Sequence, residues 1–160
     1  MMDQVDRILA QWHAERPDLD VGPMGVFGRL KRLADHLQAE IGRGYAENGL
    51  TFAAFDVLAT LRRAGPPYAL SPSDLVNWTM VTSGTMTNRI DRLEEQGLIA
   101  RRPNPEDGRS NVVALTDQGF ALIDRVIDAH VANQHRLIAQ LPEDLRDGLE
   151  DGLRAWLASF

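Results

Sequence analysis

The sequence predicts a mainly α-helical fold with one small β-hairpin, on three observations. Along most of the 160 residues, apolar side chains recur at the three-and-four spacing of an amphipathic α-helix. Residues 98–116 depart from this spacing, because two β-branched runs flank the turn-forming residues 103–110. A short helix and a polar-faced helix directly precede this hairpin. The order of these elements predicts a winged helix-turn-helix joined to a helical dimerisation region.

The first fifty residues predict two helices. Residues 2–15 bring four apolar side chains to one helical face, namely Val5, Ile8, Leu9 and Trp12. A Pro- and Asp-rich break follows, and residues 24 to about 43 then predict a long amphipathic helix. We expect Gly42 and Gly44 to end this helix.

A third helix is predicted at residues 52–64, where Thr51 can cap the first turn. Its apolar residues nearly encircle it, which predicts a central place in the core. Its polar positions lie along one stripe and are Asp56, Thr60 and Arg63. After a turn and a short extended piece, Ser71 and Asp74 have the spacing of a helix start, which predicts a short helix ending near Thr79.

The polar-faced helix is predicted at roughly residues 83–96, since Thr82 or Ser83 can cap its start and Gly97 can end it. At 100° per residue, its apolar stripe consists of Met86, Ile90 and Leu93. The opposite side carries Thr85, Asn88 and Arg92. Such side chains can contact base edges or phosphates in a major groove. The helix alone fits a DNA-reading helix and an ordinary polar surface helix equally well.

The hairpin that follows favours DNA binding. Arg109 lies at its predicted tip, where a guanidinium can enter a narrow minor groove and be held by its negative potential. We expect Asp107 to brace Arg109 rather than to contact DNA. The alternative for these two residues is a solvent-exposed turn pair.

Two more helices are predicted after the hairpin, the first from Thr116 or Asp117 to about residue 140 and the second from Pro142 to the end. The apolar stripe of the second consists of Leu145, Leu149, Leu153, Trp156, Leu157 and Phe160. Few other elements remain in so short a chain to cover both stripes. We therefore expect the terminal helices to pair with a second subunit, and packing within one chain is the alternative.

Composition excludes several classes of protein. The chain has no cysteine, which excludes disulfides and thiolate sites, and it has no long apolar run or signal peptide. We therefore expect a cytoplasmic protein without a membrane partner. The four histidines lack the helical spacing of a metal site, and no phosphate-binding or nucleophile motif occurs. No metal, no cofactor and no catalytic residue are expected, so the chain is predicted not to be an enzyme.

The net charge of −6 argues at first against nucleic acid, because binding to the DNA backbone depends on neutralising phosphates. The charge is unevenly distributed, however. Residues 82–116 hold five arginines and five acids, whereas residues 117–160 hold four arginines and eight acids. The locally neutral stretch leaves open an alternative function, a winged-helix module that binds protein. Asn88, Arg92 and Arg109 favour DNA, since a protein-binding surface would offer apolar anchors.

Four motifs follow one another in residues 71–119: the helix from Thr85 to Gly97, GLIARR from Gly97, D-x-R-S from Asp107, and VALTDQG ending at Gly119. In order and spacing they resemble the MarR family (multiple antibiotic resistance regulators). The flanking long helices are similar to that family's dimerisation region. The resemblance implies a homodimer on a pseudo-palindromic operator in double-stranded DNA. It also implies control by a small, often aromatic, effector, and we expect a repressor.

The additional N-terminal helix resembles that of the urate-responsive branch of this family. Matched residue by residue, the resemblance implies that Trp12 stacks on a flat purine such as urate, Asp56 hydrogen-bonds it, Arg89 meets its negative charge and Arg101 relays the change. Arg89 lies about 40° around its helix from Leu93, so it can face either the DNA or the interior. The alternatives are a phosphate contact for Arg89, a solvated position for Asp56 and a dimer-core anchor for Trp12.

These arguments define two sets of candidate residues and three regions. The candidate DNA-binding residues are Ser83, Thr85, Thr87, Asn88, Arg89, Arg92, Arg102 and Arg109. The candidate ligand-binding residues are Trp12, Asp56, Arg89 and Arg101. Residues 1–50 are expected to form N-terminal dimerisation helices and a ligand lid, residues 51–116 the DNA-binding lobe, and residues 117–160 the C-terminal dimerisation helices.

Overall fold

The computed structural model describes residues 2–79, 86–104, 107–108 and 110–160. The chain divides into two compact units, Met1–Glu40 and Ile41–Phe160. The described residues form seven helices and three short strands, so the mainly α-helical fold with a small sheet is confirmed. None of these helices is long and apolar enough to cross a membrane.

The first unit contains α1 (Gln4–Glu15) and the larger part of α2 (Gly22–Ala46). Asp3 caps α1 by accepting from the N–H of Asp6, and the Asp6 carboxylate accepts in turn from the N–H of Asp3. Arg29 of α2 binds both carboxylates, at 2.8 Å to Asp3 and 2.5 Å to Asp6. Since all three side chains are substantially exposed, each ion pair contributes little, and the buried Val5 and Val21 contribute more to holding the unit together.

The second unit contains the end of α2 and all later elements: α3 (Phe52–Arg63), β1 (Ala69–Leu70), α4 (Pro72–Trp78), α5 (Met86–Glu95), β2 (Ile99–Pro103), β3 (Asn111–Leu115), α6 (Asp117–Ile138) and α7 (Glu143–Leu157). The three strands form an antiparallel sheet in the order β1-β3-β2. In its register Ile99 lies opposite Leu115, and Arg101 opposite Val113. The helix pair α4 and α5 is thus followed directly by the β2–β3 wing.

Helix α3 is the centre of this unit, as its nearly encircling apolar pattern predicts. Val57, Leu58 and Leu61 are completely buried. The elements packed around them contribute Leu75, Ile90, Leu93, Val113 and Ile123. Because a fully buried Leu or Ile side chain contributes about 1.5–3 kcal/mol, this cluster fixes the positions of α5 and the wing relative to α3.

Three of the predicted helix starts are confirmed by their side-chain caps. The hydroxyl groups of Thr51, Ser71 and Thr116 accept from the N–H three residues later, at distances of 3.0–3.1 Å. Each cap satisfies one of the N–H groups that a helix start leaves without an internal partner. Helix α5 is the polar-faced helix of the prediction and occupies the place of the recognition helix in a helix-turn-helix. The predicted cap at its start, Thr82 or Ser83, lies outside the described residues.

The prediction that Gly42 and Gly44 end α2 is wrong. The helix continues through both to Ala46, and the chain turns at Gly49, which has a φ of +70°. A glycine inside a helix costs about 1 kcal/mol relative to alanine. Burial of Tyr45, which stacks on Phe55 at a centroid distance of 4.3 Å, offsets that cost.

The sequence also predicts only two strands, whereas the sheet has a third. The short extended piece before α4 is β1, which pairs through Ala69 with Ala114 and through Leu70 with Val113. Two residues have no recognisable period of their own, so this strand depends on the edge that β3 offers it.

The last helix, α7, has no buried residue in the single chain. Its large apolar side chains are all partly or largely exposed and are Leu145, Leu149, Leu153, Trp156 and Leu157. On α6, Val131 and Ile138 are exposed as well. An apolar stripe of this length is unusual on a monomer and marks an interaction surface.

Candidate DNA-binding and effector sites

The described part of the recognition helix presents polar groups on one side and core residues on the other. Met86, Ile90 and Leu93 are buried, as predicted. Thr87, Asn88 and Arg92 are exposed, and Arg102 is exposed on β2 of the wing. Within the described residues, none of these four side chains forms a hydrogen bond or an ion pair. They are therefore available to an external partner.

Two of the three acids of the recognition helix contact the wing instead. The Arg101 guanidinium on β2 donates to Asp91 at 2.5 Å and to Glu94, and its backbone N–H donates to the other oxygen of Glu94 at 2.9 Å. The hydrogen bond from Arg101 to Asp91, with the nearby charge of Glu94, raises the pKa of Arg101. Arg101 thus joins α5 to β2 and neutralises two carboxylates on the DNA-reading helix.

Arg89 occupies an intermediate position between the buried and exposed faces of α5. It lines a recess of about 230 Å³ together with Arg92, Gln96 and the first turn of α3. Its Nη1 atom is buried and has no hydrogen-bond partner. Burying a guanidinium nitrogen without an acceptor is costly, which makes Arg89 a candidate for binding an added anion.

A larger cavity of about 520 Å³ lies between the end of α2, α3 and α6. Ligand cavities commonly have about 300–1,000 Å³. Its aromatic wall consists of Tyr45, Phe55 and His130, whose rings contact one another at centroid distances of 4.3–5.5 Å. Tyr45 Oη lies 3.0 Å from His130 Nδ1, which links α2 to α6. Such a wall suits a flat aromatic molecule.

Asp56 supplies a buried carboxylate to this cavity, since it lines the cavity and is only 5% exposed. The alternative of a solvated Asp56 is therefore wrong. Burial, together with the charge of Asp56, raises the pKa of Tyr45 to about 12, so the phenol stays protonated. Burial also lowers the pKa of His130, which favours the neutral imidazole. The phenol of Tyr45 and the imidazole of His130 are therefore both neutral at neutral pH.

The basic residues at the rim of this cavity are Arg62 and Arg63. Arg62 pairs with Asp124 at 2.6 Å and lies 4.6 Å from the ring centroid of Phe120, whereas Arg63 donates to the backbone carbonyl of Trp78. A ligand in this cavity would therefore have both guanidinium groups and the carboxyl group of Asp56 in its walls. A ligand with both a negative charge and ring N–H groups matches that arrangement.

The structure brings together some of the predicted site residues and separates others. Asp56 and Arg89 line two different cavities of the second unit, and Arg101 lines neither. Trp12 is 41% exposed and belongs to the first unit. The predicted DNA contacts of Ser83, Thr85 and Arg109 lie outside the described residues. At the wing, Asn104 and Ser110 close the tip through a backbone hydrogen bond of 2.8 Å.

Sequence reasoning missed Tyr45 and His130, although a signal for His130 was present. His130 continues the stripe of Ile123 and Ile127 at helical spacing on α6, which places it on the face that packs toward α3. Tyr45 has no such signal, because two nearby glycines suggest the end of a helix at that point. No group of three or more His, Asp or Glu side chains among the described residues could hold a metal ion.

A helix-turn-helix pair that presents Asn and Arg side chains, followed by an antiparallel wing, defines the class of winged-helix transcriptional regulators. Comparison with known proteins makes this more specific. Residues 48–110 match the MarR family model. The chain is 45% identical over 141 residues to the HTH-type transcriptional regulator PecS of Dickeya dadantii, covering 88% of this chain and 85% of that protein. The protein therefore belongs to the MarR family; it is a DNA-binding transcriptional regulator and not an enzyme.

Two solved structures support this assignment. BpsR of Bordetella bronchiseptica, whose DNA binding is regulated by 6-hydroxynicotinic acid, is 28% identical, with a TM-score of 0.70 over 82% of this chain and 91% of that one. A MarR family regulator of Streptomyces coelicolor, solved in complex with DNA, has a TM-score of 0.77 at 21% identity, covering 88% of this chain and 89% of that one. The second likeness establishes the fold alone.

Proposed function

We propose that the protein is a repressor that binds a pseudo-palindromic operator as a homodimer and is released by a small aromatic or purine-type anion such as urate. Residues 1–50 and 117–160 would form the dimerisation region, residues 1–50 also acting as a ligand lid, and residues 51–116 the DNA-binding lobe. The observation that carries the proposal is the recognition helix, where Asn88 and Arg92 are exposed and two acids are neutralised by Arg101. A helix of this kind offers hydrogen-bonding groups to DNA and little net repulsion.

The homodimer is supported by the exposed apolar stripe on α7. Leu153 is 45% exposed and Trp156 36% exposed in the single chain, on the same face. Aromatic and aliphatic anchors of this kind commonly form the centre of obligate interfaces. Because each lobe is locally close to neutral, affinity for DNA would depend on two lobes binding together.

Control by an effector is supported by the aromatic cavity between α3 and α6. Because α3 also packs against α5, a ligand beside Asp56 would reach the recognition helix through a single layer of side chains. BpsR responds to a small aromatic acid, which favours the same chemical class here. Asp56 has the support of this cavity, while the ligand contacts of Trp12, Arg89 and Arg101 stay predictions.

Fluorescence anisotropy on a duplex selected from random sequences tests the DNA part of this proposal. We expect tight binding at low salt that weakens steeply as salt rises, because phosphate contacts release counterions. No binding at low salt would refute the proposal and favour a protein-interaction module instead.

Urate added to the complex tests the effector part. We expect release of the wild type and a reduced response in Asp56→Asn, with its DNA affinity in the absence of ligand unchanged. The matched control is Asp128→Asn, which removes an exposed carboxylate from α6 outside the cavity. Trp12→Ala and Arg89→Ala are expected to lose the response too. Arg89→Ala is compared with the wild type at equal operator occupancy, because Arg89 is also a candidate DNA contact. An unaltered response in all three variants would place the effector elsewhere.

A further inference from the structure

The recess between α3 and α5 has the chemistry of an oxyanion site. The described residues that line it include two guanidinium groups, those of Arg89 and Arg92, and no carboxylate. Its volume of about 230 Å³ is enough for a phosphate group and its first water molecules. Nη1 of Arg89 is buried without a hydrogen-bond partner, so the guanidinium group is not fully satisfied within the chain.

The start of α3 adds donors to the same recess. Thr51 caps the helix by accepting from the N–H of Ala54 at 3.1 Å. The N–H groups of Phe52 and Ala53 have no acceptor within the helix, as is general for the first positions of any helix. Thr51, Ala53 and Ala54 line the recess, so the positive end of the α3 dipole is directed toward the two arginines.

Of the three acids of α5, only Glu95 remains near these arginines, and it is exposed and does not line the recess. Asp91 and Glu94 lie on a different side of the helix, where both are bound by Arg101. Arg92 is exposed, lines the recess and lies four residues after Asn88 on α5. The recess is therefore next to the helix face proposed to contact DNA, and phosphate contacts commonly flank such a face.

We propose that this recess holds one backbone phosphate of the DNA, bound by Arg89, Arg92 and the first turn of α3. This rests on the proposed DNA binding and assigns to α3, a helix outside the helix-turn-helix pair, a direct part in it. The phosphate fixes the depth and register of α5 in the groove and carries no base specificity. Arg89 is thereby a phosphate contact rather than a reader of bases.

The test compares salt dependence of duplex binding in the full-length wild type and two variants. Arg89→Gln removes the guanidinium. Ala53→Glu places a carboxylate in the recess, and at the start of a helix an acid is itself favourable, so the variant is expected to fold. The matched control is Gln118→Glu, which makes the same charge change at the second position of α6. Urea denaturation confirms that each variant is folded.

The slope of log K against log salt is negative, and loss of one phosphate contact reduces its magnitude by about 0.9 for each bound protomer. Between 50 and 200 mM salt, wild-type affinity should therefore fall about 3.5-fold more per protomer than that of Arg89→Gln or Ala53→Glu. A duplex with a single neutral methylphosphonate at the contacted position should weaken the wild type and not Arg89→Gln. Gln118→Glu should keep the wild-type slope.

The outcomes separate this inference from the proposed function. If the wild type binds DNA with the usual salt dependence and the variants have the same slope, the phosphate site alone is overturned. A wild type that binds no duplex overturns both. In a second arm, inorganic phosphate is added at constant ionic strength in a thermal-shift assay. Stabilisation of the wild type but not of Arg89→Gln, combined with unchanged DNA slopes, assigns the recess to a free anion and refutes a DNA phosphate.

Discussion

Replacement of Gly119 by alanine tests how α6 is joined to the recognition helix and the wing. A Cβ atom at this position would lie 1.9 Å from the backbone oxygen of Leu98 and 2.8 Å from its carbonyl carbon. The oxygen would have to move by about 1.1 Å to reach even 3.0 Å, a separation below which real Cβ contacts essentially do not occur. The atom is backbone, so rotation of a side chain cannot relieve the clash.

The Leu98 peptide is held on both sides, which sets the cost of moving it. Its carbonyl accepts from the N–H of Thr116 at 3.1 Å, its N–H donates to the carbonyl of Leu93 at 3.0 Å, and its side chain is 4% exposed. Forcing an extra methyl group into such a place costs about 1–3 kcal/mol or more. Weakening a hydrogen bond adds about 1 kcal/mol, and replacing glycine in a helix returns about 1 kcal/mol. The last two contributions cancel, so we expect Gly119→Ala to lower the free energy of unfolding by about 1–3 kcal/mol or more.

Urea denaturation of the purified chain, followed by circular dichroism, measures this change. Gly42→Ala is the matched control, because Gly42 also lies in a helix, away from the apolar stripe of α7, and an added Cβ there meets nothing within 4 Å. That control should be as stable as the wild type or slightly more stable. A Gly119→Ala variant within about 0.5 kcal/mol of the wild type would refute the reasoning, since surface substitutions commonly fall in that range.

Two further predictions concern the dimer and the aromatic cavity. Leu153→Asp, which places a charge in the α7 stripe, should weaken dimerisation at least about tenfold in sedimentation velocity, and an unchanged dissociation constant would contradict the proposed interface. Burial lowers the pKa of His130 below its ordinary value of 6.5. Between the lowered pKa of the folded chain and 6.5, the unfolded chain binds more protons than the folded one. Stability should therefore rise with pH across that window and fall as pH drops. His130→Phe should make the difference between the unfolding free energies at pH 5 and pH 7 smaller than in the wild type, and an equal difference would contradict this assignment.

The parts of the fold that the sequence predicts well are those determined within a few residues. The caps at Thr51, Ser71 and Thr116 are local, because each hydroxyl bonds to an N–H three residues away. The amphipathic period of α5 is equally local. In contrast, the continuation of α2 through two glycines depends on Tyr45, whose hydroxyl contacts His130, 85 residues later. The sequence around Tyr45 therefore cannot predict that the helix continues.

The candidate site could be predicted in kind but not in its geometry. Position on the helix left Arg89 free to face either the DNA or the interior. In the structure Arg89 lines a recess whose other wall is the first turn of α3, a segment more than thirty residues earlier in the chain. Asp56 shows the same limit. Its spacing from Thr60 and Arg63 suggests a polar stripe facing water, whereas packing against α6 leaves it 5% exposed.

Arg101 has two roles in the DNA-binding lobe: it joins α5 to the wing and it neutralises acids on α5. It is held by Asp91 and Glu94, which are almost one helical turn apart on α5, while its own backbone belongs to β2 and pairs with Val113. Arg101 therefore connects α5 directly to the base of the wing. The side chains of these ion pairs are 35–47% exposed, so their contribution to stability is small. Their larger effect is on charge: without Arg101, the carboxylates of Asp91 and Glu94 would be left bare on the recognition helix and would repel the phosphates that we propose Arg89 and Arg92 to bind. The residue that the family resemblance assigns to signal relay thus also maintains the charge balance that DNA binding requires.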